Sequence, residues 1–114
     1  MPDKFVGTWN GTVSGDAGLS TRRLTIQQGE EGDTVLSLTA DGPLEGGGTY
    51  HCVFQGELRS ASEDRLNIGP TRVTVGGPPA CDPGKPTVVT ILPSGELHRV
   101  NTDGTRALTY TKGS

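Results

Sequence analysis

The sequence predicts an all-β domain: a small antiparallel up-and-down barrel of about eight or nine strands, with a two-sheet β-sandwich as the alternative. Three observations support this fold class. Fifteen threonines and nine valines favour strands, because β-branched side chains suit a pleated surface. Eighteen glycines and eight prolines imply many turns. Apolar and polar residues alternate along most of the chain, and no helical periodicity competes with this pattern.

The first two predicted strands form a hairpin. In FVGTWNGTV, one face carries Phe5, Gly7, Trp9, Gly11 and Val13, and polar residues occupy most of the other face. After the turn SGDAG, the run LSTRRLTIQQ places Leu24 and Ile26 on one face. These alternations predict two antiparallel strands joined by a glycine-rich turn.

The next two strands are separated by a longer turn. TVLSLTAD places its two leucines on the face opposite to Val35. The stretch DGPLEGGG then predicts a turn, because glycine and proline interrupt regular structure. YHCVFQGELRS is the clearest strand, with Tyr50, Cys52 and Phe54 pointing the same way.

The second half of the chain predicts short strands in a meander. RLNIG and TRVTVGG are two strands, or one strand broken at Gly69-Pro70, because proline is confined to strand edges and starts. TVVTIL and ELHRV flank the turn Pro93-Ser94-Gly95. ELHRV and TRALTYTK flank a turn that contains Asp103-Gly104, a strong hairpin signal.

The interior of the barrel is predicted to be filled rather than hollow, because a small eight-stranded barrel has room only for its own side chains. We expect Phe5, Trp9, Tyr50 and Phe54 to be its aromatic core. The full inward set is Phe5, Trp9, Leu24, Ile26, Leu36, Leu38, Tyr50, Phe54, Leu58, Val89, Ile91, Leu108 and Tyr110.

The two cysteines are informative about the cellular compartment in which the domain folds. Cys52 lies in a strand and Cys81 in the loop GGPPACDPGKP. One pair suits a single structural disulfide, which would stabilise the fold by roughly 3.5 kcal/mol on the chain-entropy model. Two free, half-buried thiols are the alternative. No signal-peptide core or transmembrane run is present, which by itself would indicate a cytosolic chain. Because the cysteine pair favours an oxidising compartment instead, we expect Met1 to mark a cut within a longer exported or membrane-anchored protein. Residues 1–114 are thus predicted to be one extracytoplasmic domain.

The sequence contains no motif typical of a catalytic, cofactor-binding or metal-binding site, so we predict no residues with these roles. His51, His98 and the two cysteines lack the spacing of a zinc site, and both histidines are expected at the surface. The Gly-Lys of the Cys81 loop lacks the frame of a phosphate-binding loop. No serine lies in a nucleophile elbow.

Charge argues against a nucleic-acid partner, because the sequence pI is about 5.2 and the net charge is -3. Seven arginines lie mostly on predicted strands, where their stems would cover the barrel exterior. A cluster of them would suit an anionic ligand, but the linear sequence does not show that they converge.

Several segments together resemble a known domain type. They are FVGTWNGTV, RLTIQQGEEGDTV, YHCVFQGEL with the downstream Cys81, and the pair TILPSGELHRV and TRALTYTK. The chain resembles the extracytoplasmic C-terminal domain that follows the transmembrane segment of some actinobacterial serine/threonine protein kinases and occurs in related secreted or lipid-anchored proteins. The early Gly-x-Trp is also similar to the start of calycin (lipocalin-like) barrels.

The resemblance implies a non-catalytic sensor or ligand-binding domain at the cell surface or in a secreted protein, with the kinase elsewhere in the parent chain. Its partner would be a small ligand or a cell-envelope component, the membrane would be reached only through another segment, and we expect a monomer. Two alternatives stay open: a metalloprotease-inhibitor-like barrel that inserts its N-terminal segment into a protease, and a purely structural surface domain. We expect any ligand on the outer face or the rim near the Cys81 loop.

Overall fold

The computed structural model describes residues 1–15, 18–77 and 80–113. In this part of the chain a 3-10 helix (Asp3–Phe5) precedes nine β-strands. The strands are β1 (Gly7–Gly15), β2 (Gly18–Ile26), β3 (Thr34–Pro43), β4 (Thr49–Ala61), β5 (Arg65–Ile68), β6 (Arg72–Val75), β7 (Thr87–Ile91), β8 (Leu97–Asn101) and β9 (Leu108–Lys112). The tip of the predicted SGDAG turn and the two adjacent prolines of the Cys81 loop lie outside the described residues.

Eight of these strands close into an antiparallel barrel, which confirms the predicted fold class. Around the ring, β1, β2, β3, β4, β5, β7, β8 and β9 each pair with the next. The ring closes where β9 meets β1, with Trp9 opposite Lys112 and Asn10 opposite Thr111. Closure gives each ring strand a partner on both sides, so exposed sheet edges are largely removed.

β5 and β6 correspond to RLNIG and TRVTVGG, which the sequence predicts to be two strands or one strand broken at Gly69-Pro70. Both lie along the same edge of β4. Beyond the break, the backbone N–H of Thr71 donates to the Gly84 carbonyl at 3.1 Å, and its hydroxyl accepts from the Gly84 N–H at 2.8 Å. Among the described strands, β6 pairs only with β4, whereas β5 also pairs with β7. β6 is therefore the extra strand beside the closed barrel.

One continuous cluster of apolar side chains fills the barrel. It contains every inward residue named from the sequence except Tyr50, although Phe54, Ile91 and Leu108 are only partly buried. Four further buried members are Val35, Leu66, Ile68 and Leu97. Val35 was expected on the opposite face from Leu36, but a register shift in β3 between Thr34 and Leu36 lets both reach the interior.

Trp9 belongs to this cluster and makes two further contacts. Its indole N–H donates to the Phe5 carbonyl at 3.0 Å. Lys112 lies over the ring, with Nζ 4.5 Å from the ring centre, and donates to the Val6 carbonyl at 2.7 Å. The sequence places Phe5 on the first strand, yet Phe5 belongs to the 3-10 helix and is fully buried. Phe5 therefore reaches the core from the 3-10 helix and not from the sheet.

The turn between β8 and β9 is longer than predicted, because side chains draw residues beyond Gly104 into it. The Asp103 carboxylate accepts from the backbone N–H of Thr105 at 3.0 Å and from its hydroxyl. Lys85, from the Cys81 loop, donates to the same carboxylate at 3.0 Å. Arg106 then adopts a positive φ of 57°, and β9 begins only at Leu108.

The Asp103 turn predicts a pH-dependent stability. Hydrogen bonds from Thr105 and the charge of Lys85 lower the pKa of Asp103 from 3.8 to about 2. Because the folded pKa is the lower one, this contribution is complete above pH 3.8 and is lost as the pH falls through about 2. Asp103→Asn should therefore melt below the wild type at pH 7, and the gap in Tm should close between pH 4 and pH 2. Asp64→Asn, in the turn between β4 and β5, is the control. A Tm difference between Asp103→Asn and the wild type that stays constant with pH would contradict the stabilising role of the Asp103 carboxylate.

Candidate functional site

The outer face of β9, β1, β2 and β3 is polar because each strand turns its apolar residues inward. Trp9, Leu24 and Leu38 are buried, so by strand alternation their neighbours Asn10, Arg23 and Thr39 point outward. An open hollow of about 550 Å³ lies on this face. We call it the outer hollow; its lining consists of Asn10, Gly11, Thr12, Thr21, Arg22, Arg23, Thr39, Asp41, Thr109 and Thr111.

The strand register brings these polar side chains into two rows across the sheet. In one row Asn10 pairs with Thr111 on one side and with Arg23 on the other, and Arg23 pairs with Thr39. In the second row Thr21 lies between Thr12 and Asp41. Directly opposite side chains have Cβ atoms about 4.5–5.5 Å apart, so one ligand can touch several of them.

Arg23 is the cation of the outer hollow that has no ion-pair partner among the described residues. Its side chain is exposed, and no carboxylate of the described residues lies within ion-pair distance of it. Asp41 is the carboxylate of the same lining, but it bonds to His51 instead, with 2.5 Å between Oδ1 and Nδ1. The guanidinium of Arg23 is thus available to an anionic group from outside the chain.

Arg22 points the opposite way from Arg23, as strand alternation requires. Its guanidinium donates to the Tyr50 hydroxyl at 2.9 Å and lies 5.6 Å from the centre of that ring. Tyr50, expected in the core, is half-buried and packs instead on a smaller cluster formed around the disulfide. Arg22 is therefore occupied by a structural contact, whereas its neighbour Arg23 is not.

The disulfide between Cys52 and Cys81 confirms the predicted pairing and anchors the loop that follows β6. Both cysteines are buried, and their Cα atoms are 5.7 Å apart. A second, smaller hollow of about 390 Å³ lies between β6 and this loop, lined by Thr71, Arg72, Val73, Gly76, Gly77, Cys81, Asp82 and Pro83. A disulfide of this kind indicates an oxidising, extracellular-like environment.

The residues considered for metal chemistry do not come together. Cys52 and Cys81 are bonded to each other, so neither offers a thiolate. His51 is exposed on β4, and His98 is half-buried on β8. Within residues 1–15, 18–77 and 80–113, no three His, Cys, Asp or Glu side chains group as metal ligands would. Over the same residues, no helix has the length and apolar character of a membrane span.

The N-terminal segment is held against the barrel. The Gln28 side-chain amide donates to the Met1 carbonyl and to the Asp3 carboxylate, each at 2.8 Å. Met1 also packs on the hydrophobic core. These contacts disfavour the inhibitor hypothesis, which needs this segment to enter a protease cleft.

Comparisons with protein-family models, curated proteins and solved structures return no match to this chain.

Proposed function

We propose that this chain is a non-catalytic, extracytoplasmic ligand-recognition domain that binds its ligand at the outer hollow. Its carrier would be a bacterial serine/threonine protein kinase or a related secreted or lipid-anchored protein. The observation that supports binding most directly is Arg23, an exposed guanidinium with no carboxylate partner among the described residues, set in a hollow rich in hydroxyl groups. An arginine in such a setting favours anionic groups, because its planar fork donates two parallel hydrogen bonds.

The filled interior supports a surface site over an internal one. The inward side chains of the ring strands form one cluster, and Phe5, Leu24 and Leu66 in it are completely buried. A ligand cavity of the usual size would need several of these side chains to be absent. The rigid, filled barrel would then serve as the frame that holds the outer hollow in shape.

The binding function can be tested by co-sedimentation with purified actinobacterial cell-wall sacculi. Wild-type protein should pellet with the sacculi, and Arg23→Gln should leave most of it in the supernatant. Arg65→Gln is the matched control, because Arg65 is also exposed but lies on β5, away from the hollow. Wild-type protein that stays in solution, or an Arg23 variant that pellets equally well, would contradict binding at this site.

The kinase association needs a separate test, because it rests on the sequence resemblance alone. The full-length open reading frame should encode a transmembrane helix or a lipid-attachment signal upstream of Phe5, and a kinase domain before that. A secreted reading frame without either would contradict the kinase association while leaving the binding test unaffected.

A further inference from the structure

We propose that the ligand of the outer hollow is an acidic saccharide, a sugar chain that carries carboxylate groups. This inference rests on the proposed function, because it names the ligand class for the same site. It follows from three features of the hollow: the free charge of Arg23, the kind of polar groups around it, and the hydrogen bonding of the strands beneath it.

The positive charge of the Arg23 guanidinium favours an anionic ligand. The two charged side chains that point outward in the hollow are Arg23 and Asp41, and Asp41 already has a hydrogen-bond partner in His51. An anionic group that approaches Arg23 finds a guanidinium with no ion-pair partner among the described residues, although the Asp41 carboxylate of the same lining keeps its own charge. A carboxylate matches the guanidinium best, because its two oxygens accept the two parallel N–H groups of the fork.

The surrounding groups select a polyhydroxylated ligand. The hydroxyls of Thr12, Thr21 and Thr39 make no hydrogen bond to another described residue. Thr39 lies opposite Arg23, Thr21 lies two residues before it on β2, and Thr12 lies opposite Thr21. A threonine hydroxyl both donates and accepts, as sugar hydroxyls do, so the two kinds of group can pair in either direction. The Asn10 amide adds a further donor and acceptor next to Arg23.

The strands under the hollow disfavour a peptide. β2 and β3 are paired on both sides at the level of Arg23 and Thr39, so their backbone groups there cannot accept an added strand. A nucleic acid is disfavoured by the net charge of -3 and by the lack of an aromatic side chain in the lining for base stacking.

The inference is tested with the intact chain by titrating 15N-labelled protein with trigalacturonic acid, a trisaccharide with one carboxylate on each ring. We expect shifts of the backbone amides of Thr12, Thr21, Arg23 and Thr39. Arg23→Gln should weaken binding at least tenfold, and Thr21→Val about threefold, while Arg65→Gln should bind as the wild type does. Binding should weaken as salt rises, because exposed charges are screened.

Matched probes separate this inference from its competitors. The methyl ester of trigalacturonic acid should bind at least tenfold more weakly; equal binding would overturn the role of the carboxylate. A triglutamate peptide or inorganic phosphate that shifts the same amides with equal affinity would overturn the saccharide class. If sacculi still bind through Arg23 when trigalacturonic acid does not, the ligand class is wrong and the proposed function stands. If neither binds, both are wrong.

Discussion

Trp9→Ala is expected to lower the free energy of unfolding by about 3–5 kcal/mol, the range observed when a large buried aromatic is truncated. Trp9 is 2% exposed, so nearly the whole indole would be replaced by a cavity. The change also removes the hydrogen bond to the Phe5 carbonyl and the ring beneath Lys112. These losses fall together at the end of the barrel where β1 and β9 close the ring.

Urea denaturation followed by circular dichroism measures this effect, because Trp9 is the only tryptophan and its fluorescence disappears with it. Trp9→Phe is the companion variant: it keeps most of the apolar area but loses the N–H donor, so its loss should be clearly smaller. Lys112→Met tests the contact above the ring separately. An Ala variant as stable as the wild type would show that the indole is not part of the core.

Removal of the disulfide is the second change with a large expected effect. Replacing both Cys52 and Cys81 with alanine should cost about 3.5 kcal/mol, because the bond closes a loop with a sequence separation of 29 residues. The double variant is preferred to single ones, since a single change would leave one unpaired thiol, which can form disulfides between molecules once the chain unfolds.

The effect should be confined to stability. The disulfide lies beside β6, whereas the outer hollow lies across β9, β1, β2 and β3, so the folded double variant should retain Arg23-dependent binding. Wild-type protein treated with a reducing agent is the control and should match the double variant in urea. Equal stability with and without the bond would contradict the structural role of the disulfide.

Much of the fold follows from alternation, and the exceptions have local causes. Leu24 and Leu38 were placed correctly because long strands show a clear two-residue period. Val35 was placed on the wrong face of β3, because a β-bulge there interrupts the alternation and the sequence pattern does not indicate the bulge. Leu66 and Ile68 went unnamed because β5 has only four residues, too few to show a pattern. Phe5 was placed on a strand because it lies four residues before Trp9, and two residues of one strand with that spacing also share a face.

Only part of the candidate site could be predicted from the sequence. Alternation with Leu24 already places Arg22 and Arg23 on opposite faces of β2. The grouping of Arg23 with Asn10 and Thr111 depends on the pairing of β1 with β9, between residues about a hundred positions apart. That register is set by the closure of the barrel and by the lengths of several turns. A single sequence contains no direct signal for it.

The pairing of β1 with β9 also decides how the domain faces its surroundings. Because the two strands are antiparallel, the start of β1 and the end of β9 leave the barrel side by side. The far ends of the hairpins, at Gly15 and Pro43, lie in the opposite direction along the strands. Attachment through either terminus would therefore give the barrel the same orientation on a support. In that arrangement the hairpin ends would point away from the support, and the outer hollow would lie along the flank of the barrel.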